Sequence, residues 1–140
     1  MSVTTIRQAT IEDWESIYSL VTQVWESPDK KNFKHNFKKC LDNNSVFFVA
    51  EFNSIIVGSL MLHLQHKVIR NGAVAGFIEE VVVDKLYRGN KIGQKLVDHA
   101  TSHAFNLGCY KVILSCFPER VKFYTRCGFN QESITMRHNG

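Results

Sequence analysis

The sequence predicts an α/β domain of the α+β kind, a twisted and mainly antiparallel sheet with one parallel strand pair and helices on both faces. Three observations lead there. Apolar residues at three-or-four spacing mark amphipathic helices near both ends of the chain. Runs of β-branched and aromatic residues, separated by Asn53-Ser54 and Arg70-Asn71-Gly72, mark strands joined by reversals. A later strand follows a long helix, and such a crossover makes it a parallel neighbour of the strand before it. The 140 residues, 44% hydrophobic and 21% charged, suit one core, so a single domain over 1–140 is expected.

Val3 to Ala9 reads as the first strand, and Thr10 with Asp13 three residues on has the form of a helix start. Ile11, Trp14, Ile17, Tyr18, Val21 and Trp25 then lie on one helical face, which Ser27-Pro28-Asp29 ends. A second helix carries Phe33, Phe37 and Leu41 inward. Val46 to Phe52 and Ile55 to Gln65 form a hairpin, and Phe77 to Val83 adds a third strand to it. Ile92, Leu96, Ala100 and Ala104 line a helix that Gly108 can end from a left-handed conformation. Tyr110 to Cys116 is a strand, Glu119 to Cys127 a short helix closed by Gly128, and Phe129 to Arg137 a last strand.

Composition excludes several classes of function. No run of about 18 apolar residues could span a bilayer, and Met1 to Thr10 lacks a signal peptide's apolar stretch, so a cytoplasmic protein without a membrane role is expected. Cys40, Cys109, Cys116 and Cys127 lack C-x-x-C pairing and read as free thiols. The net charge of +4 and pI near 8.9 come from residues that look scattered along the chain, a mild bias towards anionic ligands that does not reach nucleic acid. His99 and His103 have a metal-ligand spacing, but Ala100 stands where H-E-x-x-H has its glutamate and no third ligand is evident, so no metal is expected. Lys30, Lys31, Lys34, Lys38 and Lys39 read as a solvated helix face.

Chemistry concentrates in Glu79-Glu80-Val81-Val82-Val83-Asp84 and the following Arg88-Gly89-Asn90-Lys91-Ile92-Gly93-Gln94-Lys95. This is a strand, a glycine-bearing loop and a helix start. Glycines let backbone approach a ligand, and the free N–H groups of a helix N-terminus suit a pyrophosphate. Taken alone, the segment serves equally as a plain strand-to-helix turn, and neither the P-loop nor the dinucleotide fingerprint is present. Tyr124, taken alone, reads as a core aromatic. Two glutamates inside an apolar strand are costly without partners, which favours a functional reading of Glu79 and Glu80.

The loop resembles the pyrophosphate motif [RQ]-x-x-G-x-[GA] of the GCN5-related N-acetyltransferase superfamily, matching at Arg88 and Gly93 with Lys91 in place of the middle glycine. Gly76 to Val83, Gly108-Cys109-Tyr110-Lys111, Val121 to Phe129 and His66-Lys67-Val68-Ile69-Arg70 narrow the resemblance to the glucosamine-6-phosphate N-acetyltransferases. Leu20 to Val24 is similar to their N-terminal substrate segment.

The resemblance implies that fold, with the sheet splayed at the cofactor strand. It also implies acetyl-coenzyme A as cosubstrate, an amino-sugar phosphate as acceptor and a place in UDP-N-acetylglucosamine biosynthesis. Val81, Val82 and Val83 would pair with the pantetheine arm and offer N–H groups to the thioester carbonyl, stabilising an oxyanion. Arg88, Gly89, Asn90, Lys91, Ile92, Gly93 and Gln94 would hold the pyrophosphate. Tyr124 would protonate the departing thiolate, and Glu79 or Glu80 would take the ammonium proton.

Thr22, Lys67, Val68, Ile69, Arg70, Glu79, Glu80, Tyr110, Lys111 and Arg137 would bind the acceptor, with Lys67, Arg70 and Lys111 facing its phosphate. Regular strand alternation sets Glu79 and Glu80 on opposite faces. The resemblance further implies a homodimer in which the C-terminal strand reaches the partner's pocket. The chain departs from its relatives at Ser115, where they carry a carboxylate. An acetyltransferase for another anionic amine, such as an aminoalkylphosphonate or a different amino sugar, and a non-catalytic coenzyme A-binding module are the alternatives.

Overall fold

The computed structural model describes residues 3–26 and 29–140. Five strands form one sheet in the order β1-β2-β3-β4-β5: β1 Thr4–Gln8, β2 Ser45–Phe52, β3 Ile55–His66, β4 Val74–Val83 and β5 Lys111–Leu114. The first four are antiparallel in turn, and β5 runs parallel to β4, as the crossover requires. Asn53 and Ser54 both take positive φ, 50° and 65°, the twist that closes a two-residue hairpin between right-twisted strands.

The helices are α1 Trp14–Val21, α2 Lys30–Asp42, α3 Ile92–Asn106 and α4 Val121–Arg126. Asp13 accepts a hydrogen bond from the Thr10 N–H at 2.8 Å, which fixes the entry to α1 through a single 3-10 turn, Ile11–Asp13.

Strand alternation fills both faces. Phe48, Ala50, Leu60, Leu62 and Ile78 pack under α3 with Ile92, Leu96, Val97, Ala100 and Ala104. Phe47, Val49, Met61 and Val82 face the other way, under Ile17, Leu20 and Val21 of α1 and Phe37 of α2. The second face therefore carries the α1–α2 layer and the first carries α3.

Several expectations need correction. Helix α1 stops at Val21, so Trp25 is 44% exposed rather than buried on the helical face. The Thr22 hydroxyl donates back to the Tyr18 carbonyl at 2.8 Å, occupying an acceptor at the helix end. The Ser27-Pro28 part of the expected stop lies outside the described residues. Residues 129–140 form no strand: past the Phe129 N–H bond to the Tyr124 carbonyl, no backbone ladder joins them to the sheet. Five of the 17 Lys and Arg residues share one helix, and the rest are spread from Arg7 to Arg137. Helix α2 holds five lysines and one aspartate, and that surplus equals the net charge of the whole chain.

Candidate functional site

The site begins where two strands part. Strand β5 pairs with β4 only over Ala75–Ile78, so beyond Ile78 the β5 side of β4 has no strand beside it. On its other side β4 stays bonded to β3, but the register slips: Met61 faces Glu79 and Ser59 faces Val82, leaving Glu80 and Val81 against Leu60. Glu80 has φ 53°, a left-handed conformation that is uncommon for a non-glycine residue. This bulge inverts the alternation. Ile78 packs under α3 while Val82, four residues on, packs under α1 and α2, whereas a regular strand would set both on one face. Glu79 faces Met61 in register, Glu80 shares Leu60 with Val81, and both glutamates are exposed.

The bulge sets the electrostatics of the edge. Protein packed around the Glu80 carboxyl raises its pKa above the ordinary 4.5, and the neighbouring Glu79 raises it further. Cys40 of α2 feels both carboxylates, its thiol raised first by burial and then by Glu80 and Glu79, so the end of α2 borders the pair. Tyr124 of α4 is half-buried edge-on to Phe123, with ring centroids 4.9 Å apart, and no described protein group hydrogen-bonds its hydroxyl. Burial raises its pKa above 10, Cys116 adds to this and Arg120 opposes it, so the phenol stays protonated across neutral pH.

The loop after β4 has the geometry its sequence suggested. Gly89 (φ 88°) and Lys91 (φ 60°) are both left-handed, so Lys91 occupies a conformation in which glycine is unstrained. Helix α3 starts at Ile92, and its first N–H groups open towards the loop. A Cβ on Gly93 would sit 3.2 Å from Phe123 and 3.6 Å from Val83, which makes this glycine the contact between loop helix, strand and α4. Arg88 is folded back, its Nε donating to the Val83 carbonyl at 3.3 Å, and Asn90 donates to the Tyr87 carbonyl at 2.9 Å.

The residues expected to bind the acceptor are not all brought together. Thr22 is exposed at the end of α1, on the sheet face that Val82 joins. The guanidinium of Arg70 and the ammonium of Lys111 both approach the ring of Tyr110, at 5.0 and 5.5 Å. Arg70 reaches there from a left-handed turn, Ile69–Gly72, in which Val68 and Ile69 are exposed. Lys67 instead donates to Gln65 at 3.4 Å. This cationic group pairs with the start of β4, four residues from Glu79, so its backbone lies roughly 13 Å along the strand from the carboxylates. Arg137 is exposed in the C-terminal segment, which touches β5's continuation through the Ser115 and Thr135 hydroxyls, 2.9 Å apart. Thr135 was not anticipated, and no motif marks it.

His99 and His103 both pack edge-on against Phe48, with centroids 4.9 and 5.0 Å apart, and His63 pairs with Ser45. Among the described residues no group of three or more His, Cys, Asp or Glu could hold a metal. All four cysteines are free thiols. No helix among the described residues is long and apolar enough to cross a membrane.

An open strand edge running into a helix N-terminus, beside a protonated phenol and a carboxylate pair, can hold an extended acyl carrier, receive an amine proton and return one to a leaving group. Comparison with known proteins gives the family. The model of the acetyltransferase (GNAT) family matches residues 8–129. Glucosamine 6-phosphate N-acetyltransferase 1 of Dictyostelium discoideum is 32% identical over 138 residues, 93% of this chain and 87% of that protein. Its counterpart in Arabidopsis thaliana is 46% identical over 79 residues, 56% of this chain but 52% of that protein, so the match spans about half the plant protein's length. The crystal structure of the glucosamine-6-phosphate N-acetyltransferase from Arabidopsis thaliana superposes with a TM-score of 0.88 at 31% identity, covering 98% of each chain. The chain belongs to the acetyltransferase (GNAT) family.

Proposed function

We propose that the protein transfers the acetyl group of acetyl-coenzyme A to the amine of glucosamine 6-phosphate, by direct attack within a ternary complex. The observation that carries this reading is the open edge of β4 from Glu79 to Val83, which leads into the left-handed loop and the free N–H groups of α3. Full-length similarity to the Dictyostelium glucosamine 6-phosphate N-acetyltransferase supports the choice of acceptor.

Acetyl-coenzyme A supplies an activated thioester, and the residues present fit it. Within Val81–Val83 the Val82 N–H turns to β3, as that of Asp84 does, and the N–H groups on the opposite, open side would pair with the cofactor's extended arm and meet charge developing on the thioester oxygen. Gly89 to Gln94 cradle the pyrophosphate, with Arg88 adding charge. Glu80, with its raised pKa, accepts the ammonium proton directly or through water, and Glu79 holds the amine beside it. The Tyr124 phenol, protonated at neutral pH, donates to the departing thiolate. No residue needs to carry the acetyl group, so Cys116 and Cys109 are dispensable as nucleophiles.

The cationic group of Arg70, Lys111 and Tyr110 binds the sugar phosphate. Its distance along β4 from Glu79 favours a site completed by a second copy of the chain. The unpaired outer edge of β5 and the exposed Ile134 (85%) and Met136 (87%) are surfaces such a copy would cover, and Arg137 would reach the partner's acceptor. We place this homodimer in the cytoplasm, as one domain whose product feeds UDP-N-acetylglucosamine synthesis.

Release of free thiol from acetyl-coenzyme A in the presence of glucosamine 6-phosphate tests the reading. The phosphorylated sugar is expected to react far more efficiently than glucosamine, since each buried charge-assisted bond contributes on the order of 1.5–3 kcal/mol. Efficient reaction of an aminoalkylphosphonate but not the sugar would replace the acceptor. Coenzyme A binding without any thiol release would replace the enzyme by a binding module.

A further inference from the structure

Gln23 is the point at which the α1–α2 layer is tied to the cofactor loop. It follows Thr22 in the turn that ends α1, and within 22–26 it is half-buried while its neighbours are exposed. Its carboxamide uses both ends on a segment some sixty residues away. The Nε2 donates to Asp84 Oδ2 at 3.2 Å, and the Oε1 accepts the Lys85 N–H at 3.2 Å.

Asp84 is itself the hub of the exit from β4. Its N–H donates to the Val57 carbonyl at 2.8 Å, its Oδ1 accepts the Leu86 N–H at 2.9 Å, and its carbonyl accepts the Tyr87 N–H at 2.9 Å. The Tyr87 carbonyl in turn accepts from Asn90 inside the loop. A movement of the Thr22–Trp25 turn must therefore carry the loop's anchor with it or break both amide bonds. Buried amides are hydrogen-bonded because an unpaired one costs about 1–3 kcal/mol, so the tie resists breaking.

We propose that Gln23 is a positioning residue that couples acceptor binding at Thr22 to cofactor binding at Arg88–Gly93. The proposal rests on the ternary-complex reading given above. Whichever ligand binds first fixes the junction, and the second then meets an ordered partner segment. Linkage makes the effect reciprocal: each ligand tightens the other by the same factor.

The test is calorimetry of coenzyme A binding to the full chain, with and without saturating glucosamine 6-phosphate. In the parent the sugar phosphate is expected to tighten coenzyme A by about fivefold or more, the lower end of ordinary coupling. Gln23→Met keeps the length and removes the amide, and should bring that factor below about twofold. Gln23→Glu keeps one of the two bonds. Its carboxylate still accepts from the Lys85 N–H but has no donor for Asp84, so coupling should again fall below about twofold. In both variants coenzyme A affinity without the sugar should stay within about twofold of the parent's, a loss of coupling alone that a merely structural role would not give. Equal coupling in parent and variants, or none in a parent that binds both ligands, overturns the proposal. A parent that binds neither ligand overturns instead the functional reading beneath it.

Discussion

Between Val74 and Ile78, β4 has a neighbour on each side, β3 antiparallel and β5 parallel, and Ala75, Gly76 and Ile78 are buried. Between Glu79 and Val83 it keeps β3 alone, turns left-handed at Glu80, and carries two consecutive exposed carboxylates. One strand thus contains a half paired on both sides and an open half that carries strain and charge. The difference teaches where strain and charge belong. The paired half can hold the sheet because it has no free donors, and the open half can hold a ligand because it does. The left-handed residue at the boundary turns Val82 towards the α1–α2 layer.

The largest expected effect is on the chemistry of the open half. Tyr124→Phe should lower kcat by about 100-fold or more, the range of a lost general acid, with KM little changed. Because no described group bonds the hydroxyl, thermal stability should stay within about 0.5 kcal/mol. A kcat equal to the parent's would return Tyr124 to the core. The structural half answers to packing instead. Leu62 faces Ile78 across the β3–β4 pair and is fully buried beneath this half, so Leu62→Ala should cost about 2–5 kcal/mol in denaturant unfolding. A loss under about 1 kcal/mol would show that the α3 face does not depend on this contact.

A smaller effect separates Glu80 from the rest of the edge. Glu80 can accept a proton only when ionised, and its pKa is raised. The acid limb of kcat/KM should therefore fall above the usual glutamate range, with activity lost as pH drops through it. Glu80→Gln should lower kcat/KM by about tenfold or more and remove that limb, and Ser115→Asp should keep or improve activity. A silent Glu80→Gln beside an inactive Ser115→Asp would overturn the acceptor before the acetyltransferase. The smallest effect is at Lys91, whose left-handed backbone costs about 1 kcal/mol relative to glycine. Lys91→Gly should raise stability by up to that amount in thermal melts while leaving coenzyme A affinity within a few-fold. A destabilised variant would mean the lysine side chain supplies more than its backbone costs.

Much of this frame was legible in the residues. Asn53-Ser54 fixed a hairpin, the helix between 83 and 110 fixed a parallel crossover, and Arg88 to Gly93 marked the loop that opens α3. The rest was set by contacts that no local pattern encodes. Trp25 continues the spacing of α1, yet the helix ends four residues earlier because Thr22 bonds back to Tyr18 and Gln23 is held by Asp84. Glu80 looks like any strand residue, and its bulge is visible only in the register with β3. Residues 129–137 have a strand's composition but no ladder partner within this chain. The five lysines of α2 were legible as one helix face.

Amide hydrogen exchange with and without acetyl-coenzyme A tests most directly whether the open half of β4 is the reaction site. The Val83 amide and those in 89–94 should gain protection when the cofactor binds, while those at Ala75–Ile78 and Val82, already paired, should not change. Protection spread evenly along β4, or confined to residues away from 79–94, would contradict the account.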